Sequence, residues 1–195
     1  MDIVSQEMIT TPNKSILLQE FKINNSVIYG TQGRFSIKSI EFKKVGSDSI
    51  QFFRLEPEKH IIAKKKQRQS SILLPVETAQ KRGLRHLMIE TQADQALEML
   101  SNQEYYFSVE EPWRKIKPQL EQVILSEGAL GLTKALSYTH VLKQKFVLSP
   151  DELVQYHENL YFVLIREFAE VKKITIRTAE ELFTAALKNK LLSDH

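Results

Sequence analysis

"GRFSIKSIEFKKVGSDSIQFFRLE", from Gly33 to Glu56, decides the first half of the fold. β-branched and aromatic residues alternate with polar ones on both sides of "GSDS", a turn-forming cluster at 46–49. A period of two marks strands with one buried face, and the turn between them pairs them as a hairpin. Outward from this pair, "NSVIYG" at 25–30 and "SSILLPV" at 70–76 have the same character. Asn24-Asn25 and the stretch Gly30 to Gly33 supply the turn signals between them.

Four or five short strands in so little chain imply a small curled sheet, because few strands must close to bury one face. A Tudor-like or SH3-like barrel over residues 21–90 has this size. Near residue 90 the period changes from two to the helical repeat. In "TQADQALEMLSN" Ala93, Ala96, Leu97 and Leu100 share one face. A second helix opens near Pro112 or Trp113, with Ile116, Leu120, Val123 and Ile124 inward. A third runs from Ala129 to Lys145 on Leu132, Leu136 and Val141. Ser149 with Glu152 has the spacing of a capping box, with Pro150 in the first helical position. The helix that follows buries Leu153, Leu160, Leu164 and Phe168. Thr178 with Glu181 repeats the box ahead of "LFTAALKNKLL". The expected fold is therefore α+β in two domains, a small β-barrel and then a compact bundle of about five helices over 91–195. Residues 1–20 show no period and read as an extension.

The chain of 195 residues is 42% hydrophobic and 26% charged, a composition typical of soluble globular proteins. No cysteine is present, which removes disulfides, zinc–thiolate sites and cysteine nucleophiles. The first residues lack the basic and apolar regions of a signal peptide, and no apolar run is long enough to span a membrane. A cytoplasmic protein is expected. The net charge of +3 is unevenly spread. "KHIIAKKKQR" at 59–68 has five Lys or Arg and no acid, and six basic residues between Trp113 and Phe146 face only Glu121 and Glu127. Such patches suit a polyanion, although lysines also keep ordinary surfaces hydrated.

Trp113 is the only tryptophan, and its setting, "EEPWRKIKPQ" at 110–119, is crowded with charge and bracketed by prolines. Cores seldom begin in such a stretch. The apolar face of the following helix does not require Trp113. On these residues alone it is either a core anchor or an exposed functional residue, and the family order given below favours the exposed one.

No catalytic constellation accompanies it. The five histidines have no metal-ligand spacing, and no phosphate-cradling glycine loop, dinucleotide fingerprint or nucleophile elbow is present. Glu110 and Glu111 are adjacent, so their side chains diverge. No catalytic residue, metal or cofactor is expected, and the chain reads as a binding device.

The order of the pieces resembles the CarD-like family of bacterial transcription regulators. Val27, Ile28, Tyr29 and Gly33 match its opening segment, with Asn24-Asn25 where Gly-Asp is usual. Pro75, Glu77, Ala79, Gly83, Leu84 and Arg85 match its strand-and-turn signature. A lone tryptophan before basic residues, then "LSEGALGLTKALSYTHVL" and "LSPDELVQY…IREF…TAEELF", follow in the family's order, so the likeness covers residues 21–190. The resemblance implies a Tudor-like part that docks on the β subunit of RNA polymerase and a helical part that meets promoter DNA without reading sequence. It further implies that the tryptophan wedges into the minor groove at the upstream edge of the melted bubble and stabilises the open complex. Trp113 would be that wedge. Arg114, Lys115 and Lys117 would bind phosphates beside it, and Lys143 and Lys145 would reach the same backbone. On the polymerase side the resemblance points to Glu41, Lys43, Ile72, Leu73 and Leu74. It implies no cofactor and no membrane, and a monomer is expected.

This chain also departs from the family beyond Asn24-Asn25. "RKIKP" replaces the usual arginine-rich run after the tryptophan, with Pro118 on a basic position. Lys43 and Leu73 stand where the family carries arginines, and a guanidinium fork has no aliphatic equivalent. The basic connection over 57–71 is longer than usual. A polymerase- or protein-binding adaptor with no DNA role therefore stands as the alternative.

Overall fold

The structure is a computed structural model that describes residues 21–58, 70–145 and 150–188. The expected extension 1–20 and residues 59–69 of the basic connection 57–71 lie outside the described residues. Five strands come first: β1 (Ser26–Tyr29), β2 (Arg34–Val45), β3 (Asp48–Pro57), β4 (Ile72–Pro75) and β5 (Leu84–Arg85). Five helices follow among the described residues: α1 (Glu90–Ser101), α2 (Trp113–Glu127), α3 (Ala129–Lys145), α4 (Asp151–Val171) and α5 (Ile176–Lys188). The class is α+β.

All ladders are antiparallel, in the order β4-β3-β2-β1-β5. No ladder joins β4 to β5 among the described residues, so the sheet is open where a closed barrel was expected. The edges are too short to close it, at four and two residues. The chain between them instead makes two 3-10 turns, Val76–Thr78 and Gln80–Arg82, and puts Val76 and Ala79 against the sheet's core. That core is Val27, Phe35, Ile37, Phe53, Leu55, Leu74, Ala79 and Leu84.

A bulge between Ile37 and Ser39 sets which side chains share a face. The extra residue reverses the alternation. Before it, Phe35 and Ile37 point inward; after it, Ile40 faces Phe53 from the inner side and Glu41 faces Phe52 from the outer. The outer face at β1, β2 and β5 packs on the helices, and Ile28 joins their core.

α3 is the central helix, buried almost continuously from Gly131 to Thr139. Gly131 permits that: a Cβ there would lie 2.3 Å from the Val123 carbonyl oxygen, so a side chain would force α2 away. Thr133 and Thr139 return their hydroxyls to the Ala129 and Ala135 carbonyls at 2.9 Å, so their burial leaves no unmet donor. Leu142, not Val141, completes the buried face of α3. Leu153, Leu160, Leu164 and Phe168 are buried on α4 as the repeat required.

The capping box expected at α4 rests on Ser149, which lies outside the described residues; Glu152 itself bonds to α2. The box expected at α5 does not form. At α5 the cap comes three residues early: Thr175 Oγ1 accepts the Thr178 N–H at 3.1 Å. Thr175 offers a hydroxyl at the chain reversal after Lys173, whose φ of 55° ends α4, so the helix starts there.

α4 joins the parts along one stripe. Glu152, Tyr156, Asn159, Val163, Glu167 and Glu170 fall on one side of an ideal helix. Asn159 Nδ2 donates to the Thr31 carbonyl at 2.8 Å, and a Cβ on Gly33 would touch Val163 at 3.7 Å. Glu167 takes Arg85 of β5 in a fork, Nη1 to Oε1 at 2.5 Å and Nη2 to Oε2 at 2.7 Å. The Met88 N–H adds a third bond to Glu167 at 2.6 Å. Glu170 pairs with Arg34, which also donates to the Ser26 hydroxyl and forms an ion pair with Glu58.

Candidate functional site

The tryptophan face is built by α2 against the first turns of α4. The Pro112 carbonyl starts the helix by accepting the N–H groups of Lys115 and Ile116 at 2.9 and 3.3 Å. Ile116, Leu120 and Ile124 bury the inner side. Pro118 falls inside the helix, and because it has no N–H the Arg114 carbonyl loses its partner from the backbone.

Trp113 was expected to be exposed, and the structure makes it half-buried. Its ring meets Tyr156 edge-on, with centroids 5.3 Å apart and planes at 65°. The indole Nε1–H donates to Glu152 Oε2 at 3.3 Å, while Lys117 Nζ donates to Oε1 of the same carboxylate at 2.6 Å. The hydrogen bond from Lys117, with a smaller contribution from Trp113, holds the Glu152 carboxyl below the usual range. Glu152 in turn holds the Lys117 ammonium above its usual value. Beneath the indole the Tyr156 hydroxyl is buried with no partner among the described residues, and burial pushes its ionisation up.

The flanking cations divide. Arg114 and Lys115 are exposed; Lys115 lies 3.8 Å from Glu111. Lys145 reaches toward the same face and pairs with Glu110. Burial, and then the charge of half-buried Lys143 near them, lowers the proton affinity of His140 and His157, so Lys143 lies on the α3–α4 side. The structure thus gathers Trp113, Arg114, Lys115, Lys117 and Lys145, and places Lys143 apart. Glu110 and Glu111, read from sequence only as diverging acids, are two of the three carboxylates that answer these cations; Glu152 is the third.

On the sheet, the outer face beyond the helices carries Glu41, Lys43, Ile50, Phe52, Arg54 and Leu73, set side by side by the pairings Glu41↔Phe52, Lys43↔Ile50 and Arg54↔Leu73. Arg54 Nε bonds Glu41 Oε1 at 2.5 Å and holds that carboxyl below its usual range. Ile72 and Leu74 turn the other way, and Leu74 is 2% exposed within the sheet's core. Glu41, Lys43 and Leu73 therefore share a surface that Ile72 and Leu74 support from behind. Arg54 and Phe52 are members of it that sequence reading missed. The signal was present: the apolar positions switch parity between Ile37 and Ile40, which places Phe53 inside and its neighbours Phe52 and Arg54 outside.

No family model matches the chain, and no curated protein matches it. Among the described residues no group of three or more His, Asp or Glu is placed to hold a metal ion. No helix among them is long and apolar enough to cross a membrane.

Proposed function

We propose that this chain is a CarD-like regulator that docks on the β subunit of RNA polymerase through its Tudor-like sheet and stabilises the promoter open complex with Trp113. The observation that carries this reading is the α4 stripe. It fastens the sheet at Glu167 and Glu170 and seats Trp113 at Glu152 and Tyr156, about four turns or roughly 22 Å away. A protein that takes its address from polymerase and acts on DNA needs two surfaces held at a fixed separation. The outer face around Glu41, Lys43, Phe52, Arg54 and Leu73 supplies the first. Arg54, cross-strand from Leu73, returns a guanidinium close to where the family carries one.

At the fork, an aromatic wedge fills a step that melting has unstacked. Stacking of that kind is worth roughly 1–3 kcal/mol per base and exists only in the open state, so it shifts an equilibrium and catalyses no step. Arg114 and Lys115, exposed beside the indole, hold phosphates without reading sequence. No cofactor is needed for this role, and it is exercised in the cytoplasm, on the nucleoid, by a monomer.

A second reading has its own support. Lys115, Lys117 and Lys145 each meet a carboxylate, which favours an adaptor of the same fold without a DNA role. Retention of a fork-junction promoter fragment by polymerase, with and without this chain, separates the two. The regulator raises retention, and Trp113→Phe, which keeps the ring on Tyr156, raises it less. The adaptor binds polymerase and leaves DNA retention unchanged.

A further inference from the structure

Two donors from different parts of α2 converge on one anion. Trp113 Nε1–H and Lys117 Nζ both reach the Glu152 carboxylate, at 3.3 and 2.6 Å, one to each oxygen. The Lys117 side chain is 33% exposed and that of Glu152 56%, so the contact lies open at the surface. From these contacts we infer that Trp113 and Lys117 form a preformed site for a phosphodiester of DNA, and that Glu152 fills it as an internal stand-in that incoming DNA displaces. This deepens the proposed DNA role and rests on it.

The chemistry fits. A carboxylate and a phosphate both present two oxygens to paired donors, and a lysine ammonium binds either as a point charge. The indole N–H has no acceptor capacity, so it must find an oxygen from protein, water or ligand. Displacement is feasible because exposed ion pairs are weakly held, whereas a buried carboxylate would not yield. Tyr156 forms the floor of the site: its ring meets Trp113 edge-on and Lys117 lies 5.9 Å from its centroid. Once Glu152 leaves, the indole keeps that support on one side and can turn its N–H outward. Glu152 also stands in the first turn of α4, where a negative charge is favourable to the helix, so it has a resting position after displacement.

The site distinguishes Lys117 from its neighbours. In the wild type the displaced Glu152 carboxylate stays beside the DNA and retains a cation, which offsets the one that Lys117 releases; without Glu152 that release is uncompensated. Removal of Glu152 therefore steepens the salt dependence of DNA binding as well as tightening it. Removal of Glu111, which leaves the same face with one negative charge fewer but lies 3.8 Å from Lys115 and shares no donor with Trp113, does not steepen it.

The test uses the full chain, a fluorescently labelled fork-junction DNA at two salt concentrations, and the emission of Trp113, the only tryptophan. Glu152→Gln is expected to move Trp113 emission to the red without DNA, tighten DNA binding about two- to fivefold, and steepen the log–log salt slope by about one. Glu152→Asp, which keeps the charge but withdraws it, moves emission the same way with a smaller gain in binding. Adding Lys117→Gln to Glu152→Gln removes the gain. Glu111→Gln leaves emission and slope unchanged. If the wild-type chain binds the fork and Glu152→Gln leaves emission and slope as they were, the site is wrong and the proposed function stands. If neither protein holds the fork, with or without polymerase, both fail together.

Discussion

Two carboxylates on the same stripe of α4, Glu152 and Glu167, serve opposite ends. Glu167 is fully buried and takes three bonds, two from the Arg85 guanidinium and one from the Met88 N–H. Glu152 is 56% exposed and takes two, from Lys117 and Trp113. Breaking a buried pair leaves an uncompensated charge in a medium that cannot solvate it, whereas an exposed pair exchanges its partner for water or another ion at little cost. The difference separates a clamp from a latch. Glu167 fixes the sheet on the helices, and Glu152 holds a surface that can let go.

The largest expected effect lies at the clamp. Glu167→Ala strands Arg85 and the Met88 N–H and should lower unfolding free energy by about 3–5 kcal/mol, read by chemical denaturation. A loss no larger than that of Glu152→Ala would erase the distinction between the two ends.

Between them on α4 lies His157, buried, with Nδ1 3.0 Å from the Thr139 hydroxyl. Burial, with help from Lys143 and His140, pushes its ionisation down to about 3. The unfolded chain then binds the extra proton at the ordinary value near 6.5, and the folded chain does not. The contribution is therefore complete above pH 6.5 and is lost as pH falls toward 3, at up to about 1.4 kcal/mol per pH unit. Denaturation midpoints measured across that window should show the slope, and His157→Gln should flatten it. A flat profile for the wild type would mean that α4 is wetter at its middle than the structure makes it.

Trp113→Ala is expected to cost roughly 1–2 kcal/mol, less than the full loss for a wholly buried tryptophan, because part of the side chain stays exposed. Thermal melting checks this. A cost as large as that at Glu167 would make Trp113 a core residue and rule out the wedge proposed for it. Trp113→Phe should cost less, since the contact with Tyr156 survives and only the hydrogen bond to Glu152 is lost.

Long-period features of this fold were legible, and features set by single contacts were not. The change from strand to helix near residue 90 and the span of α3, Ala129–Lys145, follow from hydrophobic repeats broken by turn residues. The start of α5 did not, because Thr175 and Thr178 both carry a capping hydroxyl and only the chain path after Lys173 selects the first. Sheet closure was also hidden, since it depends on the lengths of β4 and β5 and not on how the strands alternate. The bulge at Ile37–Ser39 moved Glu41 and Lys43 to the outer face and left Ile72 and Leu74 behind it. Simple alternation counted from Phe35 puts Glu41 and Lys43 inside. Next to the candidate site, the apolar repeat of Ile116, Leu120 and Ile124 located α2 correctly. Glu152 was taken as a helix cap because the spacing from Ser149 suits one. Its partners among the described residues, Trp113 and Lys117, are 39 and 35 residues away in sequence.

The proposed docking of the sheet bears most directly on the whole account, since under that proposal polymerase supplies the address for both the wedge and its latch. The isolated lobe of the RNA polymerase β subunit should retain the wild-type chain and should fail to retain Phe52→Glu, which puts a charge at the centre of the outer face without touching the sheet's core. The variant should melt with the wild type. Failure of the lobe to hold the wild-type chain at low salt, or equal retention of the two proteins, would contradict the account.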